Sequence, residues 1–131
     1  MSVSINLPGG AIERVSAEDL LWLRLAFPSE WKGTVMVRMT DERLYSVESV
    51  AALKAKFASD GAKLAEFTPP DAKLVMVVNA ANVRQVDPAD PEINPKGAQS
   101  VLEFDSNTAL AVKETPQDAQ SLIDAATQGN V

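Results

Sequence analysis

The 131-residue sequence contains no cysteine and no histidine. The first absence removes thiol nucleophiles and thiolate metal sites. The second removes imidazole ligands and every dyad or triad in which histidine is the base. No stretch approaches the ~18 consecutive apolar residues that a membrane-spanning helix needs. The opening Met1-Ser2-Val3-Ser4-Ile5-Asn6 has neither the basic region nor the apolar run of a secretory signal. Together these absences point to a non-enzymatic protein in the cytoplasm of a bacterial or phage-infected cell, with no cofactor, no metal and no membrane partner.

What is present is the composition of a globular protein, 46% hydrophobic and 23% charged. The length suits a single domain over residues 1–131, since a half of about 60 residues is small for a core of its own. The net charge of −6 is unevenly placed. Acids and bases balance over residues 1–86, whereas residues 87–131 set eight acids against Lys96 and Lys113 and hold the whole excess. Such a segment repels phosphate backbones and anionic lipid.

Alternation over Val3–Leu7 and Ala11–Val15 about Pro8-Gly9-Gly10 predicts a β-hairpin. Ser16, followed by Glu18 and Asp19, reads as the cap of a largely buried helix through Leu20, Leu21, Leu23 and Leu25 to Pro28. Strands are expected over 33–40 and 43–47. A helix then runs to Ser59, with Val50, Leu53 and Phe57 inward and Gly61 as its stop. Further strands are expected over 64–67, 73–78 and 83–86. After a proline-rich loop at 87–97 comes a hairpin, 101–105 with 108–113, turning at Ser106-Asn107. A last helix opens at Thr115-Pro116, with Ala119, Leu122, Ile123 and Ala126 inward, before a frayed tail.

A shift of 66 residues places Val35 on Val101, Leu44 on Leu110, Glu48 on Glu114, Ser49 on Thr115 and Phe57 on Ile123 without a gap. With a small gap, Val15–Leu20 lies on Val78–Val83. Convergence of two hairpin-then-helix units produces some of this, and an internal duplication, units 1–61 and 62–131, is the favoured reading. The expected fold class is α+β: two tandem pseudo-repeats of antiparallel hairpins, each closed by an amphipathic helix.

The second unit carries a family pattern in Val78-Asn79-Ala80-Ala81-Asn82-Val83-Arg84-Gln85-Val86, in Ser100–Phe104 and in Leu110-Ala111-Val112-Lys113-Glu114-Thr115 before a helix. It resembles the small FlbD-type proteins of flagellar and swarming loci over about residues 76–126. That resemblance implies the hairpin-and-helix fold and no enzymatic activity. The chain departs from the pattern in its 87–97 insertion, its Ser106-Asn107 turn and its double length.

Motifs that carry chemistry are weak here. Ser29-Glu30-Trp31-Lys32 has the spacing of a serine acyl-transfer motif, but it follows a proline and precedes Gly33 and a strand instead of opening a helix. Asp87, Asp90, Glu92 and Asn94 lack the spacing of a calcium loop and read as a solvated acidic loop. Pro88, Pro91 and Pro95 read as holding that loop extended, as an interaction arm. Arg84 reads as pairing with Asp87. The twelve basic residues are scattered without an aromatic-interleaved cluster, which disfavours nucleic acid.

Trp22 and Trp31 carry much of the scarce aromatic area and are the expected contact residues. The expected function is therefore non-catalytic protein binding by a homo-oligomer. Self-association would run through the Trp22 helix or the Trp31 loop, with the acidic helix facing solvent. The second reading is a pocket at a subunit boundary that sequesters a small anionic ligand, such as a nucleotide, through Arg24, Arg38 and Arg84 with a tryptophan stacked on it.

Overall fold

The computed structural model describes residues 2–27, 29–31, 33–70, 75–105 and 107–128. Among these the elements run β1 (Val3–Asn6), β2 (Ile12–Val15), β3 (Leu20–Leu25), β4 (Val35–Met39), β5 (Arg43–Ser46), α1 (Val50–Ser59), β6 (Leu64–Phe67), β7 (Met76–Asn79), β8 (Gln85–Pro88), β9 (Ser100–Asp105), β10 (Thr108–Val112) and α2 (Pro116–Gln128). Single 3-10 turns occupy Pro8–Gly10, Ala17–Asp19 and Ala80–Asn82. The fold is α+β. Pro28, Lys32, the Lys73 end of one expected strand, Ser106 of the expected turn and the tail residues 129–131 lie outside the described residues.

The strands form a β1–β2 hairpin, a five-stranded sheet in the order β5–β4–β3–β7–β6 and a three-stranded sheet in the order β10–β9–β8. Every pairing is antiparallel. The five-stranded sheet is the middle layer. On one side Leu20, Leu23, Val35 and Val37 pack with Leu53 and Phe57 of α1 and with Val3 and Ile5 of β1. On the other side Trp22, Met36, Phe67, Met76 and Val78 pack with Leu102, Phe104 and Val112 of the second sheet and with Ala119 and Ile123 of α2.

Local chemistry sets both helices. The Ser49 hydroxyl accepts from the Ala52 amide at 3.1 Å and Thr115 from Asp118 at 3.2 Å, each satisfying a first-turn donor. Leu53 and Phe57, one helical turn apart, are fully buried. Gly61 ends the first helix at φ 101°, a conformation that costs glycine least.

Residues 16–27 are not a helix. Ser16 makes no side-chain cap, the acids lie in the 3-10 turn, and Leu20–Leu25 is a strand. The dense run Leu20-Leu21-Trp22-Leu23 is apolar throughout because β3 is covered on both faces. A bulge between Leu20 and Trp22 turns Leu21 toward the α2 side with Trp22. Such a strand and a buried helix look alike in periodicity. The proline-rich loop is not an extended arm either. The Ala89 amide donates to the Gln99 carbonyl at 3.0 Å and the Asp90 amide to Asn94 Oδ1 at 2.7 Å, closing it on itself.

Apart from the 3-10 turn at Pro8–Gly10 in the first half, the order strand, strand, 3-10 turn, three strands, helix occurs in both halves. Glu48 accepts from the Asn6 amide at 3.0 Å, and Glu114 accepts from the Thr68 amide at 3.0 Å. Sheet membership differs, however, because β7 pairs with β3 whereas β2 pairs with β1.

Asn79, 1% exposed at the end of β7, joins the halves. Its Oδ1 accepts from the Lys63 amide at 3.1 Å and its Nδ2 donates to the Ala17 carbonyl at 3.2 Å. Removing that amide orphans buried backbone groups, each costing roughly 1–3 kcal/mol. Asn79→Ala is expected to lower the urea unfolding free energy by about 2–4 kcal/mol. Exposed Asn107→Ala, whose side chain bridges no two segments, is the control expected to lose under about 0.5 kcal/mol.

Candidate functional site

The register of the five-stranded sheet gathers side chains that the sequence separates. Trp22 lies opposite Arg38, and Arg38 lies opposite Arg43; one step along, Arg24 lies opposite Met36, and Met36 opposite Tyr45. Because side chains alternate across a strand, all six share one face. Arg24, Arg38 and Arg43 therefore form a basic array bordered by Tyr45.

The loop between β3 and β4 folds over this array. The Glu30 amide donates to the Phe27 carbonyl at 2.8 Å, and the Thr34 amide to the Trp31 carbonyl at 3.2 Å. Glu30 is thereby brought over the sheet. Its carboxylate accepts from Arg24 at 2.8 Å, from the Tyr45 hydroxyl at 2.8 Å and from the Phe27 amide at 2.7 Å. Arg43 stands 4.0 Å from it. The hydrogen bond from Arg24 is the main reason that the Glu30 pKa falls to about 2. The amide, the hydroxyl and the Arg24 charge also lower it, while burial opposes them. The Arg24 guanidinium also lies 3.8 Å from the centre of the Phe27 ring.

Among the described residues, Glu30 is the one carboxylate within 4.0 Å of these three arginines, so the contacts of the face leave positive charge in excess. Arg38 spends one nitrogen on the carbonyls of Met39 and Glu42, at 2.8 and 3.4 Å. Arg43, 54% exposed in its side chain, is the most open of the three whose exposure bears on binding. Two arginines directly opposite each other on adjacent strands repel unless an anion lies between or above them. Beside them is a cleft of about 260 Å³ lined by Leu7, Pro8, Trp31, Arg43, Leu44 and Tyr45. Trp31 is 60% exposed at its rim.

The other expected residues fall elsewhere. Trp22 is not on a helix or at a surface: it is buried, its ring 5.3 Å from that of Phe104, and its indole nitrogen has no hydrogen-bond partner among the described residues. Arg84 precedes β8 in the other sheet. It does not take Asp87, whose Oδ1 accepts from Gln85. Instead, after the stronger hydrogen bond from the Asn107 amide, the Arg84 charge helps hold the Asp105 carboxyl below its ordinary range. Among the described residues, no group of three or more acids is placed to hold a metal ion, and no helix is long and apolar enough to cross a membrane. Glu30 and Arg43 escaped the sequence reading. Their partners lie on three different segments, and no local spacing signals them.

Comparison with family models and with curated proteins gives no match. Among solved structures, the chain is similar to one described as a LytTr DNA-binding domain from Bacillus cereus. The TM-score is 0.55 and the identity 12%, over 98% of this chain and 97% of that one. At that identity the likeness shows the fold. It overturns the expectation of a protein-binding homo-oligomer, the alternative of a small anionic ligand held at a subunit boundary, and the exclusion of nucleic acid. The exclusion failed for a physical reason: basic residues scattered in sequence are gathered by strand register.

The lowered Glu30 pKa has a consequence for stability. A carboxyl ionised more readily in the folded state than in the unfolded one contributes fully above its ordinary value of 4.5, and the contribution is lost as pH falls through about 2. Glu30→Gln is expected to lower stability by about 1–2 kcal/mol near neutral pH, a magnitude reduced for partial solvent screening. Urea titrations of both proteins should show that gap closing between about pH 4.5 and 2. A gap independent of pH would remove the ionised carboxylate from this account.

Proposed function

We propose that the chain is a non-enzymatic DNA-binding domain that meets the phosphate backbone with the Arg24, Arg38 and Arg43 face of its five-stranded sheet. The observation that carries this reading is the cross-strand Arg38–Arg43 pair, on a face whose one close carboxylate among the described residues, Glu30, is already engaged by Arg24. The likeness in fold to a domain described as DNA-binding supports it. Guanidinium groups suit phosphate because their planar donors match two oxygens at once. Such a protein works where the cell's DNA is, which makes the cytoplasm its place.

The net charge of −6 limits the affinity and makes the test sharp. Each phosphate neutralised contributes a salt slope of about −0.9; with Arg24 held by Glu30, the two remaining arginines give about −1.8 and a loss of roughly 12-fold between 50 and 200 mM salt. Fluorescence anisotropy on labelled DNA is expected to show this dependence. Arg43→Ala and Arg38→Ala should each flatten the slope by about 0.9, while Lys113→Ala on the acidic side leaves it unchanged. Absence of binding at low salt, or equal loss from all three variants, would end the proposal.

A further inference from the structure

We infer that the cleft between Trp31 and Tyr45 receives an unpaired nucleobase, so that the nucleic acid this face takes best is single-stranded. The inference rests on the DNA-binding reading above and deepens it. The cleft opens between the turn after β1, which supplies Leu7 and Pro8, and the edge strand β5, which supplies Arg43, Leu44 and Tyr45. Its volume of about 260 Å³ lies just below the ~300–1,000 Å³ range of pockets that enclose drug-sized molecules. The cleft is of a size to take one planar heterocycle.

The walls suit a base. Leu7, Pro8 and Leu44 supply apolar surface, and Trp31 supplies a broad ring face. A tryptophan 60% exposed beside apolar walls leaves a large stacking surface in water, and any nucleobase covers it with little dependence on sequence. The cleft is also held in shape before anything binds. The Tyr45 hydroxyl is fixed by Glu30, and the Thr34 amide and hydroxyl both donate to the Trp31 carbonyl. Arg43 lines the same cleft with its side chain 54% exposed, a cation where the phosphate attached to a stacked base would lie. Charge complementarity thus selects a polyanion carrying planar rings. In a duplex the bases are paired and stacked on one another, out of reach of a ring at a sheet edge.

The experiment uses the full chain, an oligothymidylate of about 12 nucleotides, and a mixed-sequence duplex of the same length. Trp22 is buried against Phe104 and gives a constant background, so quenching of tryptophan emission reports on Trp31. The expected result is quenching by the single strand, tighter binding of it than of the duplex, and a loss of about five- to 150-fold in Trp31→Ala. Trp31→Phe, which keeps a ring, should recover most of that loss. Binding of the duplex with unquenched emission and no effect of Trp31→Ala would overturn the inference and leave the DNA-binding reading intact. Failure to bind either probe at low salt would remove both.

Discussion

The side chain of Asn79 is the junction on which the arrangement of layers depends. It ends β7, a strand inserted between β3 and β6, and it fixes the 3-10 turn that follows by accepting from the Ala81 amide at 3.4 Å. Its other bonds reach the segment before β6 and the turn before β3. Asn82 continues the seam by donating to the carbonyls of Glu18 and Leu20, at 2.8 and 2.6 Å. A hydrophobic interface alone lets strands slide, and a slip of one residue would reverse every face. Buried amides with several directional partners remove that freedom, because each wrong register leaves donors and acceptors unpaired. The arginine face itself is aligned by the pairing of β3, β4 and β5, to which β7 adds on the other side of β3.

The carboxylates of Glu48 and Glu114 do related work at the two strand-to-helix junctions. Each caps an amide at the end of the first strand of its own half, that of Asn6 in β1 and that of Thr68 just after β6. Glu48 is also paired with Lys56, and although burial opposes ionisation, its hydrogen bonds outweigh it and hold the carboxyl below its ordinary range. Asp60, Asp90 and Asp105 likewise accept from backbone amides, at Ala17, Glu92 and Asn107. The number of acids says less about partners than the summed charge suggests.

Much of the fold was legible. The strands near 35–39, 43–46 and 64–67, and the helices from Val50 and Pro116, follow from alternation, helical spacing and caps, which act within a few residues. The β3 segment was misread because its apolar run gives no period when both faces are covered. The residues of the FlbD-type pattern fall on β7, β8, β9 and β10 and on the segment that leads into α2. The candidate site was legible only in part. Trp31, Arg24 and Arg38 stand out by residue type, but Arg43 and Glu30 gain meaning from pairing across β3, β4 and β5. Long-range register is the information that a scan along one chain lacks.

A basic face on an acidic protein is physically coherent once distance is considered. Charges separated by more than the Debye length of about 8 Å at physiological salt are largely screened from each other. The excess acids belong to the segment after residue 86, which builds the three-stranded sheet and α2, whereas Arg43 lies on β5 at the far edge of the five-stranded sheet. A phosphate at β5 meets its arginine neighbours, Glu30, and the turn acids Asp41 and Glu42 that precede Arg43. The acids of the last third act before contact by weakening the pull on an approaching polyanion. Their effect falls on the rate of encounter and on loose, sequence-indifferent adhesion. Glu30 acts differently, at contact. It cancels one positive charge, yet by fixing Arg24 and Tyr45 it leaves fewer side chains to be ordered when a phosphate arrives. Affinity is thereby exchanged for a face of fixed shape, which lets a weakly attracting surface still discriminate.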